Sequence, residues 1–273
     1  MDTSTAEFQY VTGQMRESFA ALFASFEERN THALAHPGWA LDVPYGAHPR
    51  EVFDFRAAEG TSHGLLLYWH AGYWQFRDKA QFRFLAPALN ALGWDVALVN
   101  YPLCPDVRVA DITASTARAL RGVLAHQGTA APTQPVVLCG HSAGAHLSVE
   151  LALQHAGVSA PRMAGVVAIS GVFDLRPLLE TSLNARLQLD AASAEACSPV
   201  CRARPGAAPA LFVVGGTETP AFHAQTRAMA AQWRAQGNTT HTVTVADTDH
   251  FSVLDALLHT DGVLARALRT WAS

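Results

Sequence analysis

The stretch Val136–Gly144 reads VVLCGHSAG, and it decides how the rest of the chain is organised. Its first four residues, Val136 to Cys139, have the length and the uniformly apolar character of a strand buried on both faces of a parallel sheet. A helical pattern begins directly afterwards, at Ala143. A buried strand that passes into a helix through small residues predicts a sharp turn, with the Ser142 hydroxyl held at the helix N-terminus.

The same alternation of strand and helix continues on both sides of this stretch. It predicts an α/β fold with a mainly parallel central sheet and helices on both faces. Residues 51–56 alternate apolar and charged side chains, which favours an outer antiparallel strand, and residues 43–48 contain the Pro and Gly of a loop. The other predicted strands are 65–69, 95–100, 136–139, 166–170, 211–214 and 240–245, and the helices between and after them are 80–92, 106–126, 143–155, 222–236 and 251–271, with Gly262 as a point of breakage.

Two further segments complete the predicted organisation. Residues 10–30 have helical spacing and are predicted to form one amphipathic N-terminal helix, which either covers the sheet or lies in a homodimer interface. Residues 171–209 are too long for an ordinary connection between two strands. We interpret them as a small helical cap insertion over the carboxyl edge of the sheet, where ligands bind in open α/β folds.

Composition limits the class of protein. The 273 residues are 49% hydrophobic and 15% charged, which excludes a disordered chain and makes a single domain over 1–273 the simplest prediction. The net charge of −4 comes without a basic stripe, so nucleic acid is not an expected partner. No apolar run is long enough for a membrane span, residues 1–17 lack the features of a signal peptide, and the four cysteines show no C-x-x-C spacing. A reduced cytoplasmic compartment is the expected location.

The turn after the strand at 136–139 carries the strongest chemical signal. Residues 140–144 match the G-x-S-x-G pattern in the strand–turn–helix setting that the pattern requires. Gly140 and Gly144 supply the space for a strained turn, and the helix N-terminus favours negative charge that develops at Ser142. We predict that Ser142 is a nucleophile, and the competing interpretation is a glycine turn in which Ser142 only caps the helix.

A serine hydroxyl needs a neighbouring base, and in this fold an acid and then a histidine follow the nucleophile along the chain. His250 lies in the loop after the last predicted strand and is the predicted base. Glu218 is the only carboxylate in the loop after strand 211–214, and we predict that it orients His250. Asp174, after the preceding strand, and Asp247, in the histidine loop, remain alternatives for the acid.

The oxygen of an attacked carbonyl needs hydrogen-bond donors. The backbone N–H of Ala143 is one predicted donor because it follows the nucleophile. The N–H groups of Gly72 and Tyr73 are the others, since they lie in the loop after the strand at 65–69 and Gly72 lets the backbone approach a substrate. In the same loop, His70 is expected to hold the backbone in place through a hydrogen bond.

Five segments resemble the kynurenine formamidase (arylformamidase) branch of the α/β-hydrolase fold, over a region from about Tyr45 to the C-terminal helix. Two positions depart from the family pattern. The family has a His-Gly-Gly-x-Trp loop, and this chain has Ala71 in place of the first glycine. The acid is often Asp in the family, and in this chain it is Glu218. The matching segments are His70–Trp74, Gly140–Leu147, Ser170–Leu178, Thr181–Asn184 and Gly216–Gln225.

The resemblance implies a serine hydrolase that cleaves N-formyl-kynurenine to kynurenine and formate. Relatives in this branch also cleave small aryl and acyl esters, so the expected partner is a small formamide or ester. His141 and His146 flank the serine without a carboxylate or cysteine to complete a ligand set, so we expect neither a metal nor another cofactor. Two alternatives stay open: a general carboxylesterase, and a catalytically inactive fold used for binding.

Aromatic residues near the predicted site would stack on an aryl substrate. Trp74 lies beside the oxyanion loop, and Phe173 and Phe251 lie near the expected mouth of the site. All three are predicted substrate contacts. For Trp74 the competing interpretation is packing in the core.

Overall fold

The computed structural model describes residues 2–128 and 134–272, and its eight strands lie in one sheet. Strands β3 to β8 pair in parallel, whereas β1 and β2 run antiparallel at one edge, in the order β1-β2-β4-β3-β5-β6-β7-β8. This arrangement confirms the predicted fold class. The strands are β1 (Trp39–Pro44), β2 (Val52–Arg56), β3 (Gly64–Trp69), β4 (Trp94–Val99), β5 (Val136–His141), β6 (Met163–Ile169), β7 (Ala210–Gly215) and β8 (Thr240–Val245).

Helices cover both faces of the sheet because the central strands are apolar on both sides. The helices are α1 (Ala6–Tyr10), α2 (Phe19–Ala35), α3 (Leu85–Ala91), α4 (Val109–His126), α5 (Ala143–Gln154), α6 (Asn184–Leu187), α7 (Ala191–Ala196), α8 (Pro220–Ala235), α9 (Val253–Leu257) and α10 (Val263–Trp271). Alternate residues of one strand enter different cores: Leu65 and Leu67 of β3 pack with α4, α5 and α8, and Leu66 packs with α2, α3 and α10.

The connectivity of the sheet places the site. The chain goes from β3 outward to β4 and then returns across β3 to β5, so β3 and β5 are neighbours whose connections leave in different directions. Ligands of open α/β sheets bind at such a switch point, at the carboxyl ends of the strands. The loop after β3 and the turn after β5 therefore meet at one point.

The N-terminal region differs from the single helix predicted over 10–30. The structure has α1, a short 3₁₀ turn over Thr12–Gln14, and then α2. The helical periodicity is real within α2, but Met15 has extended backbone (ψ 136°) and its side chain is 68% exposed. A break here lets the residues between the helices run along the active-site edge of the sheet instead of along a helix axis.

One edge strand also differs from the prediction, whereas the long insertion agrees with it. Residues 39–44 form the edge strand β1. The loop predicted over 43–48 was therefore wrong at residues 43 and 44. Its side chains are half-buried or exposed, so its pattern carries no clear strand signal. Residues 171–209 contain α6, α7 and two 3₁₀ turns, in agreement with a helical insertion. Across the described residues, no helix combines the length and apolar character that a membrane crossing needs.

Candidate active site

Ser142 lies in the turn between β5 and α5 with a strained backbone. Its φ is 56° and its ψ is −117°, a conformation that L-residues rarely adopt. The Ser142 N–H donates to the Ile169 carbonyl at 2.8 Å, which ties the turn to the neighbouring strand β6. A Cβ at Gly144 would lie 1.9 Å from the Trp69 carbonyl oxygen, so only glycine allows α5 to start this close to β3.

His250 and Glu218 form a hydrogen-bonded pair beside this turn. The Nδ1 of His250 lies 2.7 Å from Oε2 of Glu218. The other carboxylate oxygen accepts from the Gly215 N–H at 2.7 Å and from the Ser170 hydroxyl at 2.5 Å. Because a carboxylate can only accept, Nδ1 carries the proton and the lone pair of His250 is on Nε2.

Ser142 and His250 line the same cavity of about 380 Å³. Within the described part of the chain, the Ser142 hydroxyl makes no hydrogen bond to a protein group, so it is free to rotate about χ1 inside the cavity that it shares with His250. Catalytic hydrogen bonds are often open in a free site and close when substrate binds. The arrangement has the groups that acyl transfer through a serine requires: a strained hydroxyl, a base with a free lone pair, and a buried acid that orients the base.

The loop after β3, which carries two of the predicted oxyanion donors, has an unusual backbone. Gly72, Tyr73 and Trp74 all have positive φ, at 129°, 49° and 57°. A Cβ at Gly72 would lie 2.1 Å from the Phe76 carbonyl oxygen, so this turn requires glycine. Among residues 2–128 and 134–272, no protein acceptor receives the N–H groups of Gly72, Tyr73 or Ala143. These three donors are therefore free to bind an oxyanion.

Ala71 has an ordinary place in this loop. Ala71 is almost fully buried. It packs with Phe19 and Phe251 and also lines the cavity. Its φ is not positive, so the backbone does not require glycine here. The methyl group at this position narrows the cavity next to Gly72.

His70 holds the loop from behind, as expected from the sequence. Its Nδ1 donates to the Ala71 carbonyl at 2.7 Å, and its ring stacks on Tyr101 with centroids 4.4 Å apart. The Tyr101 hydroxyl donates back to the His70 carbonyl at 2.8 Å. Burial lowers the pKa of His70 to about 4, so the ring is neutral and acts as a fixed hydrogen-bond donor.

The two alternative acids lie elsewhere. Both carboxylate oxygens of Asp174 are bound by Arg176, at 2.8 and 2.7 Å. Asp247 is exposed in the histidine loop. Of the three candidates, Glu218 is the one whose carboxylate contacts His250.

Only one of the three predicted substrate contacts lines the cavity. Phe251 does so, whereas Trp74 and Phe173 are buried in the core and are absent from the lining. The Trp74 ring meets the edge of His146 in α5 at 5.0 Å, which agrees with the core-packing interpretation. Phe173 packs edge-to-face on Phe212 of β7 at 5.7 Å. Both side chains belong to the main hydrophobic core instead of the cavity wall.

The N-terminal segment supplies a wall of the cavity that sequence reasoning missed. Tyr10, Gln14 and Phe19 line the cavity together with Ser142. The Gln14 amide donates to Thr219 Oγ1 at 2.8 Å, directly beside Glu218, and the Tyr73 hydroxyl donates to the Tyr10 carbonyl. No motif marks this segment. The two hydrogen bonds just named join residues that are 205 and 63 positions apart in sequence.

Two more buried histidines flank Ser142. Nε2 of His141 donates to the His250 carbonyl at 2.6 Å, and Nε2 of His146 donates to the Cys197 carbonyl at 2.8 Å. Burial is the main reason that the pKa of His146 falls to about 4 and that of His141 falls well below its usual value. Neutral His141 therefore positions the loop that carries His250. No cluster of three or more His, Cys, Asp or Glu side chains suitable for a metal ion occurs within 2–128 and 134–272.

These buried imidazoles predict a loss of stability in mild acid. An unfolded histidine binds a proton at a pKa near 6.5, whereas folded His70 and His146 do so only near 4. Between these values the unfolded state binds more protons, so stability is complete above pH 6.5 and falls as the pH is lowered toward 4. We expect each of the two to remove about 2 kcal/mol of unfolding free energy between pH 7 and pH 5.

Urea unfolding at pH 7, 6 and 5 measures this effect. His146→Gln should remove about a third of the pH dependence, because three buried histidines, His70, His141 and His146, contribute to it. Glutamine can still donate to the Cys197 carbonyl without titrating. His32→Gln, on the exposed face of α2, should leave the pH dependence unchanged. A wild-type unfolding free energy that is constant from pH 7 to pH 5 would contradict the prediction.

Known proteins are similar to this chain over most of its length. The family model described as the α/β-hydrolase fold matches residues 66–254. The kynurenine formamidase of Danio rerio is 29% identical over 238 residues, covering 84% of this chain and 80% of that protein. The kynurenine formamidase of Salmo salar is 30% identical over 242 residues, again with 84% and 80% coverage.

Solved structures are similar to this chain as well. A protein from Silicibacter sp. TM1040, described only provisionally as a thioesterase, is 31% identical, with a TM-score of 0.86 over 96% of this chain and 98% of that one. An esterase of the bacterial hormone-sensitive lipase family has a TM-score of 0.71 at 20% identity, over 94% of this chain and 98% of its own, which shows the shared fold alone. The chain is a member of the α/β-hydrolase fold family and belongs to the branch that contains the kynurenine formamidases.

Proposed function

We propose that this hydrolase is a metal-independent serine enzyme that cleaves a small aryl formamide, with N-formyl-kynurenine as substrate and kynurenine and formate as products. One observation carries the chemical part of the proposal. Ser142 has the strained conformation of a nucleophile elbow, and it shares one cavity with His250, whose Nδ1 is hydrogen-bonded to buried Glu218.

The reaction follows from these positions. Ser142 Oγ attacks the formyl carbon while His250 Nε2 takes the hydroxyl proton, and Glu218 stabilises the imidazolium that forms. The N–H groups of Ala143, Gly72 and Tyr73 donate to the oxyanion. His250 then returns the proton to the leaving arylamine nitrogen as the C–N bond breaks. Water, deprotonated by His250, attacks the formyl-serine ester, and formate leaves as Ser142 regains its proton.

The shape of the cavity supports an aromatic substrate with a small acyl group. Five of the fifteen residues that line the cavity are phenylalanine or tyrosine and can pack against an aryl group: Tyr10, Phe19, Tyr73, Phe76 and Phe251. Ala71 narrows the space beside the oxyanion donors, where the acyl group would lie. A formyl group is the smallest acyl group that can occupy this space.

A general carboxylesterase is the second candidate, because several solved structures with this fold are described as esterases. The two differ in the leaving group. An amide nitrogen needs a proton from His250 to leave, whereas an activated phenolate barely needs one. A binding protein without activity is disfavoured because Ser142 and His250 share one cavity and buried Glu218 contacts His250.

Steady-state hydrolysis of N-formyl-kynurenine, p-nitrophenyl acetate and phenyl thioacetate by the wild-type protein tests the substrate. We expect the highest kcat/KM for the formamide. Cleavage of only the ester or thioester would leave the serine mechanism standing and refute the formamide assignment. A folded protein that cleaves none of the three would refute both.

A further inference from the structure

The cavity carries one permanently charged side chain. Of the residues that line it, Arg77 alone bears a fixed charge, and it shares the lining with Ser142 and His250. Glu218 lies behind His250 and does not belong to the lining. A single cation in an otherwise uncharged, partly aromatic cavity has no electrostatic counterpart inside that cavity.

The guanidinium of Arg77 is packed on aromatic rings and has no polar partner among the residues that the structure describes. In the part of the chain that the structure describes, its guanidinium makes neither an ion pair nor a hydrogen bond to an acceptor. It lies instead over the faces of Phe23, at 3.9 Å from the centroid, and Phe251, at 5.0 Å. A guanidinium stacked on a ring keeps its N–H donors in its own plane, where they can bind a planar anion.

Other half-buried arginines near this site pair with acceptors of the protein. Arg50 donates to the carbonyls of Tyr101 and Arg77 and to the carboxylate of Asp78. Arg83 donates to the carboxylate of Asp54 at 2.7 Å. The unused donors of Arg77 are therefore exceptional in this region. They are also partly desolvated, since burial lowers the pKa of Arg77 below its usual value while the group stays charged.

The backbone holds Arg77 in place. Its φ is 75°, a conformation that non-glycine residues seldom adopt. The Arg50 guanidinium binds its carbonyl at 2.9 Å, and Asp78 and Lys79 that follow it are fixed by Asn100 at 2.7 Å each. The position of this cation is thus set before any substrate arrives, which lowers the entropic cost of using it.

We propose that Arg77 makes this hydrolase selective for substrates that carry a carboxylate on the leaving-group side of the scissile bond. The inference rests on the proposed function in one respect: the carboxylate is placed on the leaving group because a formyl group cannot carry one. A planar carboxylate accepts two parallel hydrogen bonds from a guanidinium, and the pair is shielded from water by Phe23 and Phe251. The class of substrate is a carboxylate-bearing aryl formamide or aryl ester.

The test compares pairs of substrates in which one member carries a carboxylate and the other is uncharged at that position. N-formyl-kynurenine is compared with its methyl ester, and 4-acetoxybenzoate with phenyl acetate. For the wild type we expect kcat/KM to favour the anionic member of each pair by about tenfold to a hundredfold, mainly through KM. Arg77→Met should reduce this ratio to about one, and Arg77→Lys should keep part of it because lysine retains the charge without the planar fork.

Matched controls separate recognition from structure. Arg227→Met removes an equal charge from the exposed face of α8 and should leave the ratio at its wild-type value. A wild-type ratio near one would overturn the inference, as would an unchanged ratio in Arg77→Met or equal losses on both members of a pair. If Arg77→Met fails to fold, two other measurements decide: the substrate ratio of Arg77→Lys, and inhibition of the wild type by benzoate compared with benzamide. Equal inhibition by benzoate and benzamide overturns the inference.

The same design separates this inference from the proposed function. If the wild type cleaves neither formamide, the proposed function fails. The ester pair still tests Arg77, and an anionic preference that Arg77→Met abolishes would support the inference on its own.

Discussion

Ser142→Ala is expected to lower kcat for N-formyl-kynurenine and for p-nitrophenyl acetate by about 10⁴-fold or more, because removal of the nucleophile leaves only binding and oxyanion stabilisation. Both substrates should be affected alike, since both would pass through the same acyl-serine. Alanine keeps the Cβ, and the Ser142 side chain makes no hydrogen bond to a protein group within 2–128 and 134–272. The variant should therefore fold with nearly wild-type stability.

Steady-state kinetics together with a serine-directed organophosphate measures this effect. The wild type should gain the mass of one phosphoryl group, and Ser142→Ala should gain none. Ser62→Ala, on a loop at the far end of β3, is the matched control and should be labelled and active like the wild type. Equal activity in Ser142→Ala and wild type would rule out Ser142 as the nucleophile.

Glu218→Gln is expected to lower kcat by about 10⁴-fold, because an amide cannot satisfy all the groups that surround this side chain. One oxygen position receives the N–H of Gly215 and the hydroxyl of Ser170, and the other receives Nδ1–H of His250. If the glutamine oxygen accepts from Gly215, its NH₂ group faces Nδ1. His250 then has to carry its proton on Nε2, where it blocks the lone pair that the base needs.

Graded replacements test this account of Glu218. Ser170→Ala removes one of the three donors to the carboxylate and should cost roughly tenfold. Asp247→Asn, which changes an exposed carboxylate of the histidine loop, should stay within about twofold of wild type. A pH–rate profile adds a measurement that structural damage alone would not change. In the wild type kcat should fall toward acidic pH because the general base becomes protonated, and this fall should disappear in Glu218→Gln. If Asp247→Asn lost more activity than Glu218→Gln, the acid would have been misassigned.

The strand–turn–helix at Val136–Gly144 was predictable because its causes are local. The uniformly apolar strand, the small residues of the turn and the helical spacing after it act over a few residues each. The places of Glu218 and His250 were predictable for a related reason. Parallel strands end at the same sheet edge, so the loops after β7 and β8 were bound to lie near the turn after β5.

The walls of the cavity were not predictable in this way. Trp74 and Phe173 are aromatic residues close in sequence to the site, yet both pack in the core. Phe19 lies far from the site in sequence, yet it lines the cavity with Phe251. Periodicity reports that a side chain will be buried, but it does not report which neighbours will bury it.

The sequence by itself determined the α/β class of this protein, the strained turn at Ser142, and the chain order of Ser142, Glu218 and His250, because each depends on local pattern or on the direction of parallel strands. Only the tertiary structure decided that Glu218, rather than Asp174 or Asp247, contacts His250, and that the N-terminal segment walls the cavity. It also decided that Arg77 lines the cavity and, among residues 2–128 and 134–272, makes no ion pair and donates no side-chain hydrogen bond. These contacts join segments far apart in the chain, and packing of the whole core selects them.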